Sequence, residues 1–272
     1  MEDTVLQKKY DDLLGILKSC GSLAVAFSGG VDSTLLLYAA REALGDKVTA
    51  LTACAPSFPL RESMEAEEFC RKLGISQKTF YFDPFTVPGF EKNPPDRCYL
   101  CKTALFSTFQ KLREEEGLAA LAEGSNLDDM GDYRPGLRAI AELGVRSPLK
   151  EAGLTKAEIR ELLKAHDIPV WDKPSYACLA SRFPYGDTIT AEKLRLVELA
   201  EDFLLARGFR QLRVRMHGTL ARLEVLPSDF EKIMEKEMRE DIDRYFRKIG
   251  FSYVALDLRG YRTGSMNEGL TK

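Results

Sequence analysis

One stretch near the N-terminus constrains the fold more than any other: the short apolar run Ser22–Phe27 (S-L-A-V-A-F), which ends in S-G-G and passes directly into V-D-S-T-L-L-L-Y-A-A-R-E-A-L-G. A buried strand, a glycine turn and a helix follow from that order of residue types. The chain around it repeats the alternation. Val5–Lys18 carries Leu6, Tyr10, Leu13, Leu14 and Leu17 at helical spacing, which predicts a lead-in helix. Val48–Ala53 is a second apolar strand, followed by a helix over Leu60–Leu73 with Gly74 as its stop. Thr79–Phe82 is expected as a third strand, then a helix over Thr103–Glu116 and a further strand, Leu118–Ala122. Strands that are apolar throughout belong to a parallel sheet covered on both faces. In such sheets ligands bind beyond the carboxyl ends of the strands. The glycine turn and the loop E-G-S-N-L-D-D after Leu118–Ala122 are both expected there.

From Trp171 to Gly186 the chain becomes loop-like, W-D-K-P-S-Y-A-C-L-A-S-R-F-P-Y-G, and beyond it the pattern changes. A helix over Thr190–Arg207 precedes two alternating strands, Gln211–Met216 and Leu220–Leu226, joined by a turn containing Gly218. A charged helix is expected over Ser228–Lys248 and a last strand over Tyr253–Leu258. Hairpin strands with helices on one side predict a smaller α+β domain. The expected fold class is therefore α/β, a Rossmann-like parallel sheet over residues 1–183 with a smaller α+β C-terminal domain over residues 184–272. A chain of 272 residues accommodates both.

No apolar run approaches a membrane span, and M-E-D-T-V-L-Q-K-K-Y has no apolar leader core, so the cytoplasm is the expected location and no membrane partner is expected. The net charge of −3, with no dense basic tract, weighs against a nucleic-acid partner.

In S-G-G-V-D-S (Ser28, Gly29, Gly30, Val31, Asp32, Ser33) the glycines let backbone pass close to a phosphate, and the helix start presents N–H groups to an anion. Ser28 and Ser33 add hydroxyl donors. Asp32 repels phosphate directly, so its natural role is to hold a magnesium ion that bridges phosphates. The lysine of a Walker A loop is missing, as is the third glycine of a dinucleotide fingerprint. Without a ligand, the same hexapeptide is a tight turn with Asp32 and Ser33 as caps.

The stretch A-F-S-G-G-V-D-S, from Ala26, resembles the PP-loop of the ATP pyrophosphatases, which cleave ATP between its α- and β-phosphates. That likeness implies an adenylated carboxylate or carbonyl substrate and released pyrophosphate. Gly124, Asn126, Asp128 and Asp129 match the group's second acidic loop, which helps hold metal and nucleotide.

Cys98 and Cys101 form a C-x-x-C within N-P-P-D-R-C-Y-L-C-K, expected as a loop just before a helix. That spacing lets two thiolates reach one metal. Cys178 lies in A-C-L-A-S-R, where Arg182 can favour a thiolate electrostatically. Three thiolates suit a [4Fe–4S] cluster with one open iron, whereas a closed zinc site wants a fourth ligand. A reduced, metal-free C-x-x-C with Cys178 packed as a small residue is the plainer alternative. Cys20, Cys54 and Cys70 are expected to be structural.

Taken with D-Y-R-P-G (Asp132–Gly136), R-V-R-M-H-G and D-L-R-G-Y-R-T-G-S-M, these motifs resemble one branch of the PP-loop enzymes, the LarE family, which serves synthesis of the nickel-pincer nucleotide cofactor of lactate racemase. The resemblance implies that ATP adenylates the carboxylates of pyridinium-3,5-biscarboxylic acid mononucleotide and that sulfur displaces AMP to leave thiocarboxylates. In some members the cysteine matching Cys178 donates its own sulfur and becomes dehydroalanine. In three-cysteine members, those matching Cys98, Cys101 and Cys178 carry a [4Fe–4S] cluster that holds an extra sulfide supplied from outside, and the cluster route is expected here. The resemblance further implies roles for Ser181, Arg182 and Arg134 at the site and a substrate-phosphate role for Arg213 and Arg215. It places Glu224 on metal or substrate, and it implies a homo-oligomer such as a hexamer. On spacing alone Arg213 and Arg215 describe an exposed charged strand face. Rival readings are a tRNA thiolation enzyme, which calls for a basic RNA surface, an ammonia-using synthetase, which leaves the cysteine trio idle, and a nucleotide-sensing module without chemistry.

Overall fold

The computed structural model describes residues 2–131, 135–174, 177–262 and 264–265. The chain gathers into two compact units. The first comprises Met1–Ala55, Leu60–Pro88 and Asp96–Tyr176; the second comprises Pro56–Pro59, Gly89–Pro95 and Ala177–Lys272. The two short early segments are stitched into the second unit by backbone bonds. Leu179 N–H donates to the Ser57 carbonyl at 2.9 Å, and Ile189 N–H to that of Glu91 at 2.9 Å. The buried Asn93 amide donates to the Pro184 carbonyl at 2.6 Å.

The first unit runs α1 (Glu2–Lys18), β1 (Leu23–Ala26), α2 (Val31–Leu44), β2 (Val48–Cys54), α3 (Leu60–Leu73), β3 (Ser76–Tyr81), α4 (Arg97–Glu115), β4 (Ala120–Ala122), α5 (Pro135–Glu142), α6 (Pro148–Glu151) and α7 (Lys156–Ala165). Its strands form one parallel sheet in the order β3-β2-β1-β4, with Leu23 opposite both Val48 and Ala120. Successive strand residues face opposite sides, yet Leu23, Ala24 and Val25 are all buried, so both faces of β1 are covered as its apolar run predicts. One core joins Leu13 and Leu17 of α1, Leu35–Leu37 of α2 and Ile159 and Leu163 of α7 to this sheet, with Ala66 and Cys70 of α3. Each such leucine contributes about 1.5–3 kcal/mol by leaving water.

The starts of β3 and α4 differ from expectation. The third strand begins at Ser76, because an edge strand needs no apolar face and S-Q-K remains largely exposed there. Helix α4 begins at Arg97, so Cys98 and Cys101 lie in its first two turns and not in a preceding loop. Asp96, which follows the two prolines of N-P-P-D, is the N-cap residue from which the helix starts.

The second unit runs α8 (Ala191–Ala206), β5 (Leu212–His217), β6 (Leu220–Val225), α9 (Phe230–Met234), α10 (Lys236–Ile249) and β7 (Tyr253–Leu256). β5 and β6 form an antiparallel hairpin that turns through Gly218 at φ +60, a left-handed conformation suited to glycine. β7 lies parallel to β6 at the far edge. Phe246 of α10 is buried, within 6.1 Å of the Phe203 ring of α8 and 5.7 Å of Phe251. The single charged helix expected over Ser228–Lys248 is two helices, broken at Glu235. Ile233 would sit roughly half a turn out of phase with Ile242 and Phe246 in one straight helix. The break lets all three be buried. No helix among the described residues is long and apolar enough to cross a membrane.

Candidate active site

β1 ends at Ala26, and Phe27 N–H still bonds the Leu51 carbonyl at 2.9 Å before the chain leaves the sheet. Gly29 then takes φ +70, and a β-carbon there would meet the Glu62 carbonyl oxygen at 3.2 Å. Gly30 begins α2 without any side-chain cap, so no side chain serves the N–H groups of the first turn. Ser33 Oγ donates to the Gly30 carbonyl at 3.1 Å and lies 3.2 Å from Ser28 Oγ. The result is a tight backbone arch with hydroxyls on its inner side and a helix N-terminus behind it, which suits an oligophosphate.

Beside it, the loop after β4 packs so closely that a β-carbon on Gly124 would stand 2.9 Å from the Ser33 backbone nitrogen. The Asn126 side chain donates to Asp32 Oδ1 at 3.2 Å and accepts from Asp128 N–H at 2.9 Å, while Asn126 N–H donates to Asp129 Oδ2 at 2.9 Å. The two loops singled out in the sequence are thus tied together through Asp32 and Asn126. Buried Glu123 anchors the second loop from behind, accepting from Ser125 Oγ at 2.8 Å and Ser147 Oγ at 2.6 Å.

Two lysines that sequence reasoning missed join this site. Lys156 Nζ lies 2.6 Å from Asp32 Oδ2, and its backbone N–H donates to Asp128 Oδ2 at 2.8 Å. Lys173 Nζ donates to the Gly29 carbonyl at 3.0 Å and pairs with Glu65. Lys173 stands inside the W-D-K-P motif, a usable signal. Lys156 offered none, 124 residues from its partner. Asp32 is a single carboxylate at this position, which would suit magnesium, an ion commonly held by one or two carboxylates together with substrate phosphates. Among the described residues no three His, Cys, Asp or Glu side chains gather as a metal-holding group.

All six cysteines lie among the described residues, and none of them is in a disulfide. Cys98 and Cys101 stand one helical turn apart on α4, on one face. Arg97 Nη2 lies 3.4 Å from Cys98 Sγ. A pair of soft thiolate donors of this kind fits an iron–sulfur cluster better than a hard ion. Cys178 is half-buried in the second unit, directly ahead of a single helical turn, Leu179–Arg182. Cys70, by contrast, is pushed up to about 12 by burial, as a structural thiol should be.

The second unit contains a buried charge cluster. Arg182 is fully buried and grips Glu201 with two bonds of 2.9 Å, while donating to the Ala177 carbonyl at 2.7 Å and to Ser181 Oγ at 2.9 Å. It therefore secures the backbone of the loop that carries Cys178. Arg213 and Arg215 are buried, not the exposed strand face that spacing alone suggests, because Glu201 and Glu224 sit beneath them. Arg215 donates to the Ser181 carbonyl at 2.8 Å, to Glu224 at 2.9 Å and to Ser265 Oγ at 2.9 Å. Arg222 takes the other oxygen of Glu224 at 3.0 Å. Burial is the largest single influence on the Glu201 carboxyl and would raise it, but the charge and hydrogen bonds of Arg182, the charge of Arg213 and the Val214 N–H together outweigh it and hold the group low. Burial, with the like charge of Arg182, brings Arg213 down to about 10. Three buried guanidiniums, Arg182, Arg213 and Arg215, accompany two buried carboxylates, Glu201 and Glu224, and Arg215 Nε is buried without a hydrogen-bond partner among the described residues. An excess of buried positive charge of this kind favours an anion, and guanidinium favours phosphate. Arg134, grouped with the nucleotide residues in the sequence, lies outside the described residues.

The parallel sheet, with its glycine arch between β1 and α2 and the acidic loop of β4 beside it, defines a PP-loop ATP pyrophosphatase fold. Partial matches agree: over 55% of the chain and 38% of the relative it is 29% identical to argininosuccinate synthase of Haloarcula marismortui. A comparable stretch is 28% identical to a "probable tRNA sulfurtransferase" of Methanothermobacter thermautotrophicus, covering 55% of the chain and 42% of that protein. Over 98% of the chain and 96% of the relative it is 36% identical to pyridinium-3,5-bisthiocarboxylic acid mononucleotide synthase of Lactiplantibacillus plantarum. It is also 39% identical to an uncharacterized Synechocystis protein, over 98% of the chain and all of that protein. No family model matches the chain. The chain belongs to the LarE-type synthase family and is a sulfurtransferase.

Proposed function

We propose that this enzyme adenylates the carboxylates of pyridinium-3,5-biscarboxylic acid mononucleotide with ATP and converts them to thiocarboxylates. The observation that carries this reading is the near full-length match to the synthase, which spans both units. A carboxylate oxygen of the substrate attacks the α-phosphorus of ATP, the α–β anhydride bond breaks, and pyrophosphate leaves. A sulfur nucleophile then attacks the acyl carbon, and AMP departs with one former carboxylate oxygen.

In these steps the Ser28–Ser33 arch holds the phosphates through backbone N–H groups and hydroxyls, and Asp32, steadied by Asn126, would hold a magnesium ion, which would supply charge to offset that of the phosphates. The buried Arg213 and Arg215, balanced by Glu201 and Glu224, hold the substrate phosphate; Ser181 and Arg182 shape the loop that presents Cys178. Cys98, Cys101 and Cys178 are the proposed ligands of a [4Fe–4S] cluster, which when bound supplies a carrier for external sulfide. If no cluster is bound, Cys178 is itself the donor. Its thiol loses a proton and displaces AMP to form a thioester; loss of the Cα proton to a base and breakage of the Cβ–S bond then release the thiocarboxylate and leave dehydroalanine.

Incubation with the biscarboxylate mononucleotide, ATP, magnesium and sulfide tests the reading by mass spectrometry. Equal yields of AMP and pyrophosphate, with the mass gain of an oxygen-to-sulfur exchange, are expected. Pyrophosphate release that depends on an RNA transcript and ignores the mononucleotide would replace it with tRNA thiolation.

A further inference from the structure

The glycine arch lacks the lysine that Walker-type loops use on phosphate, and the fold returns one from elsewhere. We propose that Lys156, at the start of α7, is the phosphate-neutralising lysine of this site. The inference rests on the PP-loop reading above and deepens it.

Lys156 is held from two sides. Its backbone N–H bonds Asp128 Oδ2 at 2.8 Å, and its ammonium meets Asp32 Oδ2 at 2.6 Å. Asp32 lies in the first turn of α2, and Asp128 belongs to the loop after β4, so one lysine joins both loops that flank the phosphate position. The helix start is itself well fixed. Thr155 Oγ1 accepts from Glu158 N–H, the Glu158 carboxylate accepts from Thr155 N–H, and that carboxylate also binds Lys9 at 2.7 Å. The ammonium is a quarter exposed, and among the described residues Asp32 is its one partner. An ammonium carries three donors, so two remain for phosphate oxygens.

Lys173 is the instructive contrast. Its ammonium is bound to the Gly29 carbonyl and to Glu65, so it props the arch from α3 and is the less exposed of the two. Lys156 instead sits on the carboxylate that a magnesium–pyrophosphate unit would share. Asp32 has lone pairs enough for both the ammonium and a cation. Lys156 then offsets the charge of the β- and γ-phosphates and keeps Asp32 aimed at them while pyrophosphate leaves.

Calorimetric titration of the whole chain with magnesium–pyrophosphate, magnesium–ATP and AMP tests this, using wild type, Lys156→Met and Lys156→Arg of matched thermal melting. Loss of one charge-assisted contact predicts roughly tenfold to hundredfold weaker pyrophosphate and ATP binding in Lys156→Met. AMP affinity should be unchanged, and Lys156→Arg should restore most of the loss. Equal pyrophosphate binding by wild type and Lys156→Met, or equal weakening of AMP, would overturn the role of Lys156 while leaving the PP-loop reading intact. Wild type that binds no magnesium–ATP would remove both.

Discussion

Glu201 ties Arg182 to strand β5 in the second unit. It neutralises Arg182 with two bonds of 2.9 Å and also accepts from Val214 N–H at 3.0 Å, all away from water. Removing one member of a buried pair leaves an uncompensated charge, so Glu201→Ala should cost about 3–5 kcal/mol. A lowered urea midpoint with an unchanged slope would show it. His217 gives a pH signature. Burial, helped by the nearby Arg222 charge, holds its imidazole below the usual value. Below about pH 6.5 the unfolded chain takes up a proton that the folded chain refuses, so stability is full above that pH and falls as the solution is acidified. The only other histidine of the chain, His166, lies in the first unit, so His217→Asn should flatten the dependence of stability on pH over that range. An unchanged slope would show that burial of His217 is not its source. Gly124 is the corresponding test at the phosphate loop. Its β-carbon would stand 2.9 Å from Ser33 N and 3.2 Å from the Asp32 carbonyl carbon, both backbone atoms. Gly124→Ala should therefore cost about 1–3 kcal/mol through overpacking. It should also weaken ATP binding by pushing the second loop off Asp32, which titration of the folded variant would reveal.

Among the elements, α7 shows how a helix start can serve a site. Thr155→Ala removes the cap and should destabilise the chain by about 1 kcal/mol. It should also loosen Lys156, so that the melting temperature and pyrophosphate affinity fall together. A fall in melting temperature alone would mean that Asp32 and Asp128 hold the lysine without the cap. Elements also explain what sequence reasoning could reach. The apolar runs of β1 and β2 and the S-G-G turn were legible because a buried parallel strand has no polar face to confuse the pattern. The start of β3 was not, since an exposed edge strand carries a loop-like composition. Nor was the break at Glu235, which no glycine or proline marks and which only the phase of Ile233 against Phe246 demands. The buried state of Arg213 and Arg215 and the presence of Lys156 depend on partners far along the chain, and local pattern holds no trace of those.

For the whole molecule, the open chemical question is whether the protein survives its own reaction. A sulfur atom taken from Cys178 can be given once, whereas sulfide brought from outside can be given repeatedly. The three thiols named for the cluster decide between these routes, since a [4Fe–4S] cluster with three protein ligands leaves one iron open for an external ligand. The helical pair Cys98 and Cys101, one turn apart on α4, offers two soft sulfur donors at the spacing a cluster uses. Protein purified without oxygen should therefore contain about four irons and four labile sulfides per chain, with a visible charge-transfer band. Cys98→Ala should lose them. With sulfide, ATP and the biscarboxylate mononucleotide, the wild type should form more thiocarboxylate than there are chains, and Cys178 should keep its mass. Colourless protein that stays iron-free after reconstitution, stops at one sulfur per chain and lightens by one hydrogen sulfide would assign the sulfur to Cys178. The C-x-x-C would then be a reduced structural pair.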